Sequence, residues 1–239
     1  MGMITTMENA DKRFYDKLEQ HDFEKHLSWM KEIEFYFLSY VDFLKSKSSK
    51  DWEVAELGAG SCGLSLCLSR LSFIKKIYAV DISILRTRHL LEASFKSVGG
   101  EINKIEPIQA DFNEGLGFPD QSLDAVFFDA SLHHCRNIWR ALEECHRVLK
   151  PNGILIAQRE SYLSPLRSKQ QIHNLLQTPE VAASVSENMY LLDQYLYYLR
   201  VCGFDPTFVK RTPSKIKSSL ALLNGGILFT DGVLIAKKK

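Results

Sequence analysis

Apolar and aromatic positions between residues 8 and 45 (Phe14, Leu18, Leu27, Met30, Ile33, Phe37, Val41 and Leu44) recur at spacings near three and four, the period of one helix face. The pattern predicts helix across this stretch, closed by a polar break from Lys45 to Lys50. From residue 52 the rhythm changes. Short apolar runs predict strands at Trp52–Leu57, Ile77–Val80, Ile105–Ala110, Ala125–Phe128 and Ile154–Ala157, and helix-period segments separate them. One segment runs from Leu64 to Leu71, and another from Ser83 to Val98 is stopped by Gly99-Gly100. Asn137 is placed to cap a third, whose Ile138, Leu142, Cys145 and Leu149 share a face. Lys150–Gly153 reads as a turn, and a helix from Met189 to Val201 ends at Gly203. Two closing strands follow at Pro206–Lys210 and Gly232–Lys237. Repeated βα units of this kind demand an α/β fold with a doubly wound, mostly parallel sheet and right-handed crossovers.

At 239 residues the chain has the size of one α/β domain with a full core. Thirty basic residues against 29 acidic leave no electrostatic footprint for nucleic acid. The five cysteines are odd in number and form no CxxC pair, which suits a reducing cytosol better than a disulfide scaffold. No apolar run approaches the length of a membrane span. The expectation is therefore a cytoplasmic protein with no nucleic-acid or membrane partner, its oligomeric state left open.

The first strand ends in Val-Ala-Glu56-Leu-Gly58-Ala-Gly60-Ser-Cys62-Gly63 and leads into a helix. Strand, glycine turn and helix place a ligand against backbone amides at a helix N-terminus. Asp81, at the end of the second strand and 18 residues after Gly63, is positioned to accept hydrogen bonds from a ribose diol. Both nicotinamide and S-adenosylmethionine enzymes use that device. Glu56 and Asp129, at the same sheet edge, favour a cationic sulfonium and its ammonium over a pyrophosphate. Asp111 after the third strand could accept from an adenine amino group while Phe112 packs on the ring. No Tyr-x-x-x-Lys pair of the short-chain dehydrogenase type occurs.

Glu56-Leu-Gly-Ala-Gly, Ala79-Val-Asp81-Ile82, Ala110-Asp111-Phe112, Phe118-Pro-Asp-Gln-Ser-Leu-Asp-Ala-Val-Phe-Phe, Leu132-His-His and Arg147-Val-Leu-Lys-Pro-Asn-Gly153 resemble, in order and spacing, the motifs of class I S-adenosylmethionine-dependent methyltransferases. The resemblance runs from about residue 52 to 160. It implies a Rossmann-like seven-stranded sheet whose last strand runs antiparallel, with residues 1–50 as a helical cap on a methyltransferase domain over 51–239. It implies S-adenosylmethionine as cofactor, held by Glu56, Gly58, Gly60, Asp81, Ile82, Asp111, Phe112 and Asp129. One departure is Cys62, where the family commonly carries a third glycine; Gly63 next to it is positioned to supply the tight backbone. The N-terminal helices, Ser161–Asn188 and Thr212–Ile227 should converge on the acceptor.

His133 and His134 are the catalytic candidates, because a hydroxyl or ammonium acceptor needs a base and histidine titrates in the right range. The same pair could instead only shape the cofactor pocket. Glu160 and Tyr162, just past the fifth strand, are candidate acceptor contacts. Tyr15 and Trp29 read better as core aromatics than as a cover over the site, and the tyrosine-rich stretch from Tyr190 to Arg200 reads as core and interface packing ahead of an aromatic substrate cage. No metal is expected, since Cys145 should face the core and the His/Cys spacing fits no zinc pattern. The expected function is methyl transfer to a small-molecule acceptor. The rivals are a nicotinamide-dependent oxidoreductase and a non-catalytic S-adenosylmethionine-binding module.

Overall fold

A computed structural model describes residues 11–16, 23–48, 51–164, 168–210 and 231–239; Thr212–Ile227 lies outside them. Helix α1 covers residues 11–16, followed by α2 (Phe23–Leu38) and α3 (Val41–Lys47). The helical rhythm of the N-terminal region is interrupted at Ser39 and Tyr40. There the Ser39 hydroxyl donates to the Tyr36 carbonyl at 2.6 Å, a local bond that competes with helix continuation.

Seven strands form one sheet in the order β3-β2-β1-β4-β5-β7-β6. These are β1 (Trp52–Leu57), β2 (Ile74–Asp81), β3 (Ile105–Gln109), β4 (Leu123–Asp129), β5 (Leu149–Gln158), β6 (Phe204–Lys210) and β7 (Gly232–Lys238). β7 is antiparallel to both neighbours, and the pairs from β3 through β5 are parallel. The expected doubly wound, seven-stranded architecture is what the chain adopts. β5 starts earlier than the apolar run at Ile154, because Leu149 already pairs with Leu123 before the register shifts. Asn152, at φ 64°, accommodates that irregularity.

Helices cover both faces, so the central strands are almost continuously apolar. Successive residues alternate between two cores. Phe127 and Ile156 point to the core of α2, α4 (Gly63–Ser69) and α5 (Ile84–Val98). Phe128 and Leu155 point to the core of α6 (Ile138–Val148) and α9 (Leu192–Val201), between which the chain forms the short α7 (Ser168–Leu175) and α8 (Pro179–Ala182). The aromatics of residues 190–198 pack edge-on with one another and with Trp139, the packing role expected of them.

The N-terminal helices are built into this core. A Cβ on Gly63 would stand 2.7 Å from Ile33 Cδ1 and 2.8 Å from Met30 Sδ, so the missing side chain lets α2 close against the start of α4. The hydroxyl of Tyr40, itself buried, donates to Gln158 Oε1 at 2.8 Å. Helix α2 therefore stands beside the C-terminal edge of the strands, where a doubly wound sheet binds ligands. Among the described residues no helix is long and apolar enough to cross a membrane.

Candidate active site

Where β1 ends, Gly58 turns at φ +74°, and its amide donates to the Val80 carbonyl at 2.8 Å. A Cβ there would come within 2.6 Å of Ser131 Cβ, so the position admits glycine alone. Gly60 follows at φ +50°, its N–H donating to Asp81 Oδ2 at 2.8 Å. Cys62 occupies the left-handed region at φ 60° and is fully buried. The departure from glycine thus leaves the turn intact, at a backbone strain of about 1–3 kcal/mol. Ala130 and Arg159, directly after β4 and β5, are also left-handed, at φ 50° and 55°. Such strain clusters where a backbone is bent to aim side chains.

These turns, with α1 and α2, enclose a cavity of about 350 Å³. Its wall includes Gly58, Gly60, Asp81, Ile82, Asp111, Phe112, Asp129, His133 and His134, all anticipated at the site. Asp81 is buried, with Oδ2 on Gly60 N and Oδ1 accepting from Ser83 N at 2.9 Å. Burial raises its pKa against the opposing pull of Arg86 and the two amides. Each oxygen retains a lone pair for a ribose hydroxyl. Phe112 stands edge-on to Phe128 at 6.1 Å. Asp111 is more heavily engaged than its adenine role requires, with Oδ1 accepting from Asn113 N and Nδ2 and Oδ2 binding Arg136 at 2.7 Å.

Three candidates are not on that wall. Glu56 is 1% exposed, and its Oε2 accepts from the amide and hydroxyl of Ser65. It braces the start of α4 behind the glycine turn. Burial pushes its carboxyl up to about 8, so at neutral pH the proton-bearing form predominates. Glu160 stands directly behind His133. Its carboxylate accepts from the amides of Ser131, Leu132 and His133 and from His133 Nδ1 at 2.7 Å. Tyr162 turns its ring into the core against Tyr195 and Phe208. In the opposite direction, Tyr15 and Trp29 line the cavity, Trp29 packing against the core as well. Tyr15 packs edge-on to His134 and under Arg86.

The charge argument from Asp129 also changes. Arg159 pairs with both of its oxygens, and Gln158 Nε2 donates to Oδ1. That carboxylate reaches the cavity with its charge matched by Arg159. Arg159, Arg136, Asp11, Arg86 and Glu187 carried no sequence signal. They are single charged residues outside any recurrent spacing, and only folding brings them together.

The two histidines have different electrostatics. Burial alone would lower His133, but the charge and hydrogen bond of Glu160, with Glu187 nearby, hold it above the ordinary histidine range. Glu160, buried yet bound to His133 and backbone amides, sits below the usual carboxylate range. His134 is pulled down to about 4 by burial and by the neighbouring His133. Its Nδ1 is 2.8 Å from the Ser186 carbonyl. A carbonyl only accepts, so that nitrogen carries the proton.

The profile of the family described as "Methyltransferase domain" matches residues 55–157. With the sheet order and the crevice at the strand ends, this match makes that part of the chain similar to the class I S-adenosylmethionine-dependent methyltransferases, whose cofactor is S-adenosylmethionine. Over 109 residues the chain is 32% identical to the mitochondrial arginine-hydroxylase NDUFAF5 of Rattus norvegicus, covering 45% of this chain and 29% of that protein. Over 115 residues it is 31% identical to demethylmenaquinone methyltransferase of Tropheryma whipplei, covering 41% and 47%. The chain thus spans less than half the length of these curated relatives. In fold it is similar to a Haloferax volcanii methyltransferase solved with the Trm112 methyltransferase activator. The TM-score is 0.61 at 15% identity, over 89% of this chain and 96% of that one.

Proposed function

We propose that the protein transfers the methyl group of S-adenosylmethionine to a small-molecule acceptor. The observation that carries this reading is the cavity of about 350 Å³, which joins two chemically distinct walls. One is the nucleoside wall of Gly58, Gly60, Asp81, Ile82 and Phe112. The other is a polar wall of His133 and His134, closed by Tyr15 and Trp29 from the N-terminal helices. Its volume falls within the range for small-molecule pockets, roughly 300–1,000 Å³, and the polar wall faces the same space as the nucleoside wall. Alignment for in-line displacement supplies much of the rate of such a reaction.

In this reading Asp81 holds the ribose, Phe112 flanks the adenine, and the histidines activate the acceptor. Glu160 acts through His133, fixing its ring. Glu56 acts through Ser65 on the glycine turn, and Tyr162 supports the floor from within the core. A near-neutral net charge of +1 supports a small molecule over a nucleic-acid acceptor.

Two measurements test the proposal. Calorimetry should show binding of S-adenosylmethionine and S-adenosylhomocysteine and none of NADH. Incubation with labelled S-adenosylmethionine and a panel of small hydroxy and amino compounds should release S-adenosylhomocysteine with at least one acceptor. Tight NADH binding, or cofactor binding with transfer only to whole proteins, would overturn the small-molecule reading.

A further inference from the structure

Glu187, absent from every sequence motif, completes a group with His133 and His134. One potential ligand atom from each of the three lies within 4.8 Å of the others, and all three line the cavity. His133 Nε2 is 3.8 Å from Glu187 Oε2, and His134 Nδ1 is 3.3 Å from Glu187 Oε1. Among the described residues, the histidines are the ion-pair partners of Glu187. Three other carboxylates of the cavity are matched by arginines: Asp129 is paired with Arg159, and Asp11 and Asp111 with Arg136.

The second side of His133 is also built. Its Nδ1 bonds to Glu160, which three backbone amides hold in place. A carboxylate in that position fixes the proton on Nδ1 and leaves the Nε2 lone pair facing the cavity. Metal-ligating histidines almost always carry such a carboxylate, carbonyl or water on the other ring nitrogen, where it sets the tautomer. On His134 it is Nδ1 that stands beside Glu187 Oε1, so cation binding requires that nitrogen to give up its proton and its contact with the Ser186 carbonyl.

We infer that His133, His134 and Glu187 bind one divalent first-row transition cation at the acceptor end of the cavity. Two imidazoles and one carboxylate suit zinc, cobalt, iron or manganese and leave positions open to a substrate. Donors at about 2.1 Å from one cation stand roughly 3–3.5 Å apart. The group must therefore contract by about 1 Å. Glu187 lies outside regular structure between α8 (Pro179–Ala182) and α9 and is half-buried, so it can supply that movement.

The use of the cation rests on the methyl-transfer reading, although its binding does not. Bound to an acceptor hydroxyl, the cation would lower the pKa of that oxygen as it lowers that of bound water. The hydroxyl proton leaves to solvent. The oxygen then forms the new bond to the methyl carbon as the carbon–sulfur bond breaks, and sulfur keeps the electron pair. The substrate class this implies is a hydroxy compound able to coordinate through oxygen.

The test is a cobalt(II) titration of the chelator-treated full chain, followed by visible absorption. S-adenosylhomocysteine affinity is measured in parallel. The expected result is d–d absorption saturating at about one cobalt per chain and displaced by zinc. His134→Gln and Glu187→Gln should each weaken cobalt binding at least about tenfold, with S-adenosylhomocysteine affinity retained as evidence of folding. Removal of the exposed histidines, His89→Asn and His173→Asn, should leave the titration unchanged. Absent saturation, loss of binding in the surface variants, or an unaltered titration in both site variants would each overturn the cation site. Failure of S-adenosylhomocysteine to bind the parent would instead count against the methyl-transfer reading, while the cobalt result stands alone.

Discussion

The guanidinium of Arg159 grips Asp129 with two hydrogen bonds, Nε to Oδ1 at 2.7 Å and Nη2 to Oδ2 at 2.8 Å. Both side chains are largely withdrawn from solvent, 12% and 6% exposed. Removing one partner of a buried pair leaves an uncompensated charge, at a cost of about 3–5 kcal/mol. Arg159→Met should lower unfolding stability by about 3 kcal/mol. The double variant with Asp129→Asn should recover part of that loss. Denaturant unfolding of both single variants and the double would measure the coupling, and simple additivity would show the pair to be independent.

Asp81 should carry much of the cofactor affinity. Hydrogen bonds to a charged group contribute about 1.5–3 kcal/mol each, so Asp81→Ala should weaken S-adenosylhomocysteine binding at least about tenfold. Because Asp81 also anchors the amides of Gly60 and Ser83, Asp81→Asn separates the roles. It can still accept from one amide but cannot offer two charged oxygens to a diol. Unchanged affinity by calorimetry in both variants would remove Asp81 from the ribose site.

Glu56 should make stability depend on pH. Its carboxyl rises from the ordinary 4.5 to about 8 in the folded protein, so over that window the native state binds more protons than the unfolded chain. The stability associated with the protonated group is complete below 4.5 and is lost as pH climbs through about 8. Glu56→Gln keeps an acceptor for the Ser65 amide and removes the titration. Its melting temperature should fall less than the parent's across that interval. Parallel curves from thermal melts at matched ionic strength would refute the shift.

A related outcome concerns the cofactor's charge. With Glu56 outside the cavity wall and protonated at neutral pH, Glu56→Gln should change affinity for S-adenosylmethionine and S-adenosylhomocysteine by the same factor. Calorimetry with both ligands would detect a preferential loss of the sulfonium, which would restore a direct electrostatic role.

Much of the fold was legible along the chain, because it rests on local signals. Apolar runs marked β1 and β4, and their sides alternate between two cores as a strand period requires. Asn137 caps α6 through Arg140 N. Gly58 and Gly60 adopt the positive φ that a strand-to-helix turn demands. Asp81 follows the strand that pairs with β1, so its position beside the turn was set by topology.

Tertiary structure decided everything that depends on where long side chains end. Tyr15 and Trp29 sit next to the periodic apolar positions Phe14 and Met30, and only the docking of the N-terminal helices against the strand ends puts them at the cavity. Glu56 and Glu160 occupy the right positions in sequence, yet each is drawn to nearby amides and buried behind the residue it supports. The Asp129 carboxylate could be read from β4, but not the Arg159 guanidinium that balances it. His133 and His134 were adjacent from the start. Their third partner, Glu187, has no sequence relation to them, and a shared cavity is what brings the three within reach of one another.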